Sequence, residues 1–375
     1  IEFIRDLYPQ KEFIPLHEPY FNGNEKQYLV DCIDSTYVSS VGKYVDRFEQ
    51  MIAEFTGAKY AVATVNGTAA LHMALLLADV GENDEVITQP LTFVATCNAI
   101  SYINAHPIFV DVDKDTMSLS PEKLEHFLTN YTEQVNERCR NKETGRIIKA
   151  MVPMHTFGHP AKIKSLAELA KKHNITLIED AAESLGSYYQ GMHTGLFGTI
   201  GTLSFNGNKT ITTGGGGMIV TNDQSLAKRA KHLTTTAKVP HRWEFEHDEI
   251  GYNYRMPNLN AALGCAQMEL LPAILENKRE TAKQYQNFFH DSDDLDFVGE
   301  PSGCSSNFWL NAVLLEERDK RDAFLEATNN VGIMTRPIWK LMSGLKAFEK
   351  AYKANLENSF WLEERVVNIP SSVRW

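Results

Sequence analysis

Cysteine is scarce in this chain of 375 residues, and its five cysteines are far apart. No two of them form a Cys-x-x-Cys pair. Zinc sites and disulfide frameworks need regularly spaced cysteines, and an odd number leaves one thiol unpaired. We therefore expect neither a disulfide-stabilised fold nor a metal site. The cysteines are Cys32, Cys97, Cys139, Cys265 and Cys304.

Long apolar runs and dense basic clusters are also missing. Nowhere do eighteen apolar residues follow one another, so the sequence predicts no membrane-spanning helix. The formal net charge is -11 and no stretch is densely basic, so we expect neither nucleic acid nor a membrane as a partner. The segment from Ile1 to Asp6 lacks the basic, apolar and small-residue order of a signal peptide. These features favour a cytoplasmic protein.

What the sequence does contain is an alternation of short apolar strands with helices. The strands are apolar at nearly every position, which is typical of a mostly parallel sheet covered on both faces. The predicted fold class is therefore α/β. Strands are expected at 60–65, 85–88, 107–112, 147–152, 175–179, 201–205 and 217–221, and helices at 24–34, 45–55, 69–78, 92–104 and 162–173.

The pattern changes after about Pro257. A long helix is predicted over 259–289, with a break near Pro272, and then a polar loop over 291–300. A strand over 309–315 and two further helices follow. A chain of this length is expected to form one large and one smaller domain. We predict an N-terminal segment (1–21), a large sheet domain (22–256) and a small C-terminal α+β domain (257–375).

Polar residues at predicted strand ends are the candidates for a binding site, because ligands bind at the carboxyl ends of parallel strands. Gly67 and Thr68 lie between a strand and a helix, where Gly67 allows a tight turn. The amides of Thr68 and Ala69 are expected to be free donors at the helix N-terminus. With the Thr68 hydroxyl they could hold a phosphate group. The alternative is an ordinary helix cap.

Three other residues follow strands of the same sheet. Lys209 could form an imine with an aldehyde cofactor if it were buried, although a lysine in a loop is normally a surface charge. Asp180 could keep a heteroaromatic nitrogen protonated, although such an acid is usually solvated or a cap. Phe93 could stack on a planar ring, although a Phe there is more often part of the core.

Taken together, these segments resemble the DegT/StrS-type sugar aminotransferases, which have the aspartate-aminotransferase-like (type I PLP) fold. The resemblance runs through nearly the whole chain, in the same order. It implies a bound pyridoxal 5′-phosphate (PLP). The segments are NGTAAL (66–71), PLTFVATCNAI (90–100), FVDVD (109–113), IEDAAESLG (178–186), SFNGNKTITTGGGG (204–217) and GYNYRM (251–256).

The resemblance also assigns roles to single residues. It implies that Lys209 is the Schiff-base lysine, that Asp180 is the partner of the pyridine nitrogen and that Phe93 stacks on the ring. PLP makes such a site an electron sink when its nitrogen stays protonated. The phosphate would be held by Gly67, Thr68 and Ser204.

Two further positions follow from the same comparison of motifs. Asn253 matches a residue that reaches the phosphate from a second subunit in similar proteins, which implies a homodimer with shared active sites. Glu183 lies where many of them carry Gln or His near the phenolic oxygen of the cofactor. A carboxylate there would repel the phenolate unless it is protonated or turned away.

The segments PLHEPYFNGNE (15–25) and DSTYVSSVGKYVDRFE (34–49) are similar to the branch that aminates C4 of nucleotide-linked 4-keto-6-deoxy sugars. Within it they most resemble enzymes for UDP-linked 2-acetamido-2,6-dideoxy-4-keto-hexoses of legionaminic- and bacillosamine-type pathways. GDP-perosamine synthases are the alternative. The resemblance implies that glutamate gives the amino group and leaves as 2-oxoglutarate, for surface polysaccharide or nonulosonic acid biosynthesis.

The nucleotide phosphates of such a substrate need cationic or amide donors. Arg255 and Arg336 are the candidates, and both could instead be in ordinary surface ion pairs. Two other kinds of protein share the fold. A regulator or scaffold without turnover is disfavoured by the intact pair of Lys209 and Asp180, and PLP sugar dehydratases carry His at the position of Lys209.

Overall fold

A computed structural model describes residues 1–9, 11–292 and 294–374. Strands of the central sheet alternate with helices over most of residues 60–180, as predicted from the sequence. The helices are α1 (Glu2–Leu7), α2 (Glu25–Asp34), α3 (Lys43–Thr56), α4 (Gly67–Leu77), α5 (Val94–Tyr102), α6 (Pro121–Tyr131), α7 (Ile163–Lys172), α8 (Gln224–Thr234), α9 (Asn258–Phe289), α10 (Arg318–Asn330) and α11 (Glu357–Glu363). The strands are β1 (Tyr60–Thr64), β2 (Glu85–Thr88), β3 (His106–Phe109), β4 (Thr132–Val135), β5 (Arg138–Asn141), β6 (Ile147–Val152), β7 (Thr176–Asp180), β8 (Tyr188–Tyr189), β9 (Met192–His193), β10 (Ile200–Ser204), β11 (Gly217–Thr221), β12 (Lys238–Val239), β13 (Glu246–His247), β14 (Leu295–Phe297), β15 (Cys304–Ser305), β16 (Asn311–Leu315), β17 (Arg336–Pro337), β18 (Tyr352–Lys353) and β19 (Val366–Ile369).

The central sheet has ten strands. Its main order is β1-β11-β10-β7-β6-β2-β3-β18, with β5 also beside β6 and β4 beside β5. All neighbours from β10 to β18 pair in parallel. The strands β1 and β11 and the β4–β5 hairpin add antiparallel pairs. The mostly parallel sheet confirms the predicted α/β class.

Helices cover both faces of this sheet, since successive strand residues point to opposite sides. On one face, Ala63, Met218 and Val220 share a buried cluster with residues of α3 and α9. On the other face, Val62 and Ile219 share a cluster with residues of α4 and α8. The strands are therefore apolar on both sides, which is the pattern that predicted them.

The long helix α9 is continuous, so the predicted break near Pro272 is wrong. Proline removes one backbone donor and crowds the preceding turn. Here Leu271 and Ile274, on either side of the proline, are buried in the cluster with α3 and hold the helix together. The helix packs against α2 and α3 and also against β14. It connects the two sheets, and the division between residues 256 and 257 stays a prediction.

A second sheet lies in the C-terminal part, with the order β14-β16-β19-β17 and only antiparallel pairs. Its first strand, β14, lies within the segment predicted as a polar loop, of which Asp293 is outside the described residues. Leu295 and Phe297 pack against the buried cluster that contains Tyr285, which explains the strand. Among the described residues no helix combines the length and apolarity that crossing a membrane requires.

Candidate active site

The candidate residues lie where strands of the central sheet end. Asp180 is the last residue of β7 and Ser204 is the last residue of β10, and these strands are parallel neighbours. Thr64, at the end of β1, pairs with Gly217, and Ser204 pairs with the same glycine. The turn at 66–68 follows β1 directly. The structure thus brings Asp180, Ser204 and this turn to one edge of the sheet.

The turn after β1 approaches Ser204 closely. A Cβ atom on Gly67 would lie 2.9 Å from the Cβ of Ser204, so a larger residue would force a shift. The Asn66 side chain accepts a hydrogen bond from the Ala69 amide at 2.7 Å, so the prediction that this amide is free is wrong. The hydroxyls of Thr68 and Ser204 make no hydrogen bond within the described residues. These hydroxyls and the start of α4 fit a phosphate group.

Asp180 is a buried carboxylate held by two donors. It is 3% exposed, its Oδ2 accepts a hydrogen bond from the Thr96 hydroxyl at 2.7 Å, and its Oδ1 accepts one from the Ala182 amide at 3.2 Å. Burial raises the pKa of Asp180, while these hydrogen bonds and the charge of Lys209 act in the opposite direction. The carboxylate is neither solvated nor a helix cap, and it can pair with a protonated ring nitrogen.

Lys209 is not a surface charge, because its side chain is only 13% exposed. It lies on the loop after β10, and its Nζ donates a hydrogen bond to Glu183 Oε1 at 3.2 Å. The same Nζ lies 3.8 Å from the centre of the Trp309 ring. A primary amine is therefore held at the edge of the sheet where Asp180 and the phosphate-type turn meet.

Glu183 points towards this lysine and is 2% exposed. Its Oε2 accepts a hydrogen bond from the Phe157 amide at 2.8 Å. Burial raises the pKa of the Glu183 carboxyl, the Lys209 charge lowers it, and the Asp180 charge raises it further. The side chain is not turned away from the site. Burial acts in the direction of a protonated carboxyl, the other arrangement that avoids repulsion, while the charge of Lys209 acts against it.

Phe93 precedes the first turn of α5 and is 51% exposed. Its ring contacts Trp339 edge to face, with 6.4 Å between the ring centroids. Phe93 is therefore not a core residue, and an exposed aromatic face can stack on a planar ring. The stacking itself stays a prediction.

Asn253 lies beside the phosphate-type turn of its own chain. Val65 donates its amide to the Tyr254 carbonyl at 2.8 Å, and Thr64 forms an isolated β-bridge with Arg255. The Oδ1 atom of the exposed Asn253 accepts hydrogen bonds from Arg255 Nε at 3.1 Å and Nη2 at 3.0 Å. A contact with a second subunit stays a prediction.

Arg336 is exposed in β17 of the second sheet. Its Nη1 donates hydrogen bonds to Asn329 Oδ1 at 3.0 Å and to the Thr335 carbonyl at 2.8 Å. Within residues 1–9, 11–292 and 294–374, neither Arg336 nor Arg255 pairs with a carboxylate, so the structure does not support the surface ion-pair alternative. Their contact with a substrate stays a prediction.

Two residues of the site are not predicted from the sequence. Thr96 binds Asp180 and lies in the segment 90–100, three residues after Phe93, so a signal was available. Trp309 lies one hundred residues after Lys209 in the second part of the chain, and no local pattern links the two. Only the tertiary structure brings Trp309 to the lysine.

Comparison with known proteins supports the same interpretation. The model of the DegT/DnrJ/EryC1/StrS aminotransferase family matches residues 19–374. The chain is 38% identical over 362 residues to a GDP-perosamine synthase of Escherichia coli O157:H7, covering 96% of this chain and 93% of that protein. It is 36% identical over 363 residues to a GDP-perosamine synthase of Vibrio cholerae, covering 96% and 94%.

Solved structures agree with the sequence comparison. Helicobacter pylori PseC, an aminotransferase involved in the biosynthesis of pseudoaminic acid, matches with a TM-score of 0.86 and 25% identity, over 96% of this chain and 93% of that chain. The predicted type I PLP fold, PLP cofactor and transaminase class are confirmed. The chain therefore belongs to the DegT/DnrJ/EryC1/StrS aminotransferase family and is a PLP-dependent sugar aminotransferase.

Proposed function

We propose that the protein transfers an amino group from glutamate to the C4 keto group of a nucleotide-linked 4-keto-6-deoxy sugar. The observation that carries this proposal is the amine of the largely covered Lys209 side chain, which lies beside Glu183 at the strand ends that also present Asp180. PLP, when bound, supplies an aldehyde for the amine and an electron sink for the reaction. The chain itself must hold PLP, orient it and move protons.

Lys209 carries two tasks in this proposal. Its Nζ would hold the cofactor aldehyde. When it is free, Nζ would act as the base for the Cα proton of the donor and as the acid that supplies a proton to C4 of the sugar. Asp180 keeps the ring nitrogen protonated, and Phe93 covers the ring. The phosphate is held by Gly67, Thr68 and Ser204.

The nucleotide diphosphate needs positive charge near the site, and the region around Arg255 offers it. Arg255, Lys238, His241 and Arg242 line an open cavity of about 580 Å³ without a lining carboxylate. The lysine and the two arginines make no ion pair with any described residue. His241 lies 3.8 Å from Glu244, so the positive charge comes from Lys238, Arg242 and Arg255, which are suited to phosphate oxygens. Arg336 is a second candidate contact.

The sugar nucleotide that we favour is UDP-linked 2-acetamido-2,6-dideoxy-4-keto-hexose. The segments 15–25 and 34–49 support it through their resemblance to that branch. GDP-linked 4-keto-6-deoxymannose is the second candidate, because curated relatives at 36–38% identity are GDP-perosamine synthases. The 4-amino products would serve surface polysaccharide or nonulosonic acid biosynthesis.

A substrate panel distinguishes the two candidates. Purified protein, loaded with PLP, is incubated with glutamate and UDP-, GDP- or TDP-linked 4-keto sugars, and the products are identified by mass spectrometry. We expect a specificity constant for the UDP-linked N-acetyl sugar at least about tenfold above the others, or ~1.4 kcal/mol in transition-state binding. The reverse ranking would replace the substrate assignment only. No amination of any sugar would contradict the proposed function.

We propose in addition that two copies of the chain form a homodimer with shared sites. The segment before Asn253 exposes three large apolar residues, Trp243 (68%), Phe245 (81%) and Ile250 (83%). Apolar side chains concentrated at one surface are typical of an interface. In this arrangement Asn253 of one chain reaches the phosphate turn of the other, and Asn253→Asp would place a negative charge there.

Subunit mixing tests the shared site. Lys209→Ala and Asn253→Asp homodimers are each expected to be inactive, but a mixed dimer contains one site with neither change. At full exchange half of the dimers are mixed, and each mixed dimer has one intact site of two. About a quarter of the wild-type activity should therefore return. Lys209→Ala mixed with Asp180→Asn is the matched control and should not recover, because both changes affect the same chain's site. Proven exchange without recovery would show that the sites are not shared.

A further inference from the structure

Trp309 contacts the loop that carries Lys209 through two different groups. Its ring centre lies 3.8 Å from Lys209 Nζ, and its indole Nε1–H donates a hydrogen bond to the Asn208 carbonyl at 2.6 Å. Trp309 is 4% exposed. A buried indole N–H needs an acceptor, and here the acceptor is the residue directly before Lys209.

A rigid frame of hydrogen bonds fixes Trp309 itself. Asn307 Oδ1 accepts a hydrogen bond from the Trp309 amide at 2.8 Å, and Asn307 Nδ2 donates one to the Glu183 carbonyl at 2.8 Å. Asn307 therefore links the backbones of the two residues whose side chains flank the Lys209 amine.

Lys278 supports this frame from the interior. It is 1% exposed on α9, and its Nζ donates hydrogen bonds to the carbonyls of Trp309 and, at 2.7 Å, of Ser371. Burial lowers the pKa of Lys278 to about 7. A buried amine without a carboxylate partner is costly unless it is hydrogen-bonded, so its contacts tie the Trp309 backbone to α9.

We infer that Trp309 is a positioning residue for Lys209. Its ring face and the Glu183 carboxylate hold the free ammonium group, and its indole N–H holds the loop. A cation is attracted to the face of an indole ring. Lys209 Nζ would thereby occupy one defined position whenever it is not bound to PLP. The inference rests on the proposed role of Lys209 and adds a residue from the second part of the chain to the site.

Two variants separate the contacts of Trp309. Trp309→Phe keeps an aromatic face and removes the indole N–H, whereas Trp309→Leu removes both. Trp361→Leu is the matched control. Lys114 Nζ lies 4.2 Å from the centre of the Trp361 ring, and Trp361 packs against the hydrophobic cluster to which Trp309 belongs. The control therefore removes a tryptophan–lysine contact without changing the Lys209 loop.

The first measurement uses the cofactor-free protein. Acetylation of Lys209 Nζ by acetic anhydride is followed by peptide mass spectrometry, with the other lysines as internal standards. We expect Trp309→Leu to raise the rate of Lys209 acetylation about fivefold, since the amine loses the ring that covers and holds it. Trp309→Phe and Trp361→Leu should remain near the wild-type rate.

The second measurement is the single-turnover reaction of the PLP-loaded protein with glutamate. Proton transfer by a misplaced lysine should be slower, by about thirtyfold in Trp309→Leu and about threefold in Trp309→Phe. The isotope effect with 2-deuterioglutamate should rise in both, while glutamate affinity stays unchanged.

Wild-type acetylation and isotope effects in Trp309→Leu would overturn the inference. If that variant does not fold, an unchanged single-turnover rate and isotope effect in Trp309→Phe would overturn it instead. Should wild-type protein fail to load PLP on Lys209, the proposed function falls, but the acetylation rates still decide whether Trp309 holds the lysine.

Discussion

Replacing Lys209 by alanine should abolish multiple-turnover amination, with a loss in kcat of about four decades or more. The variant lacks both the amine that holds the cofactor aldehyde and the base that moves the Cα proton. Wild-type protein should be purified yellow, and borohydride should fix PLP to Lys209 in a peptide found by mass spectrometry. The variant should still bind PLP but release it on denaturation after borohydride treatment.

Lys162→Ala is the control for this experiment. Lys162 Nζ pairs with Asp113 at 2.9 Å and with Asp115 at 3.1 Å, so it is another lysine held by carboxylates in the sheet domain. Its removal should leave turnover and borohydride trapping intact. Normal turnover by Lys209→Ala would remove that residue from the mechanism, and trapping on another lysine would relocate the cofactor.

The predictable part of the fold is the part with the strongest local pattern. The strands of the central sheet are apolar on both faces, so runs such as 60–65 and 217–221 differ from any amphipathic helix. The ends of those strands identify Asp180, Ser204 and Lys209, because a parallel sheet collects its carboxyl ends at one edge. The motifs at these strand ends therefore predict most residues of the candidate site.

The wrong or missing predictions share a physical cause, which is competition between local preference and tertiary contacts. A helix that contains Pro272 continues because buried neighbours hold it, and Leu295 and Phe297 become a strand because they complete a core. The Ala69 amide donates a hydrogen bond to the Asn66 side chain, and this bond depends on the rotamer of Asn66. Trp309 reaches Lys209 only through folding.

Asp180→Asn should slow each half-reaction by two or more decades, about 2.7 kcal/mol in the barrier. An amide carries no charge to keep the ring nitrogen protonated, so the cofactor loses its electron-sink character. The change is isosteric. The Thr96 hydroxyl, 3.1 Å from the Thr92 hydroxyl, can turn to accept from the new amide and donate to Thr92. Stopped-flow absorbance with glutamate and with the keto sugar measures both half-reactions.

The Asp180→Asn substitution, which should slow the reaction, should not lower the stability of the folded protein. Burial raises the pKa of Asp180 above its value in the unfolded chain, so the folded state favours the protonated form. The resulting stabilisation is fully present below about pH 4 and is lost as the pH rises through the folded-state pKa. At neutral pH, cofactor-free Asp180→Asn should therefore be at least as stable to denaturant as the wild type. The relative advantage of the variant should shrink towards acidic pH.

Glu179, one residue before Asp180, is the matched control, because Glu179→Gln should lower stability and leave turnover intact. It is 0% exposed, and its carboxylate accepts hydrogen bonds from the amides of Gly195 at 2.8 Å, Phe197 at 2.6 Å and Gly198 at 2.6 Å. Glu179→Gln replaces one acceptor oxygen by a donor, which leaves a buried amide unpaired and should cost about 1–3 kcal/mol of stability. Turnover per folded molecule should persist. If Asp180→Asn lost stability as Glu179→Gln is expected to, the carboxylate of Asp180 would be structural. Wild-type turnover by Asp180→Asn would show that Asp180 is not the pyridine partner.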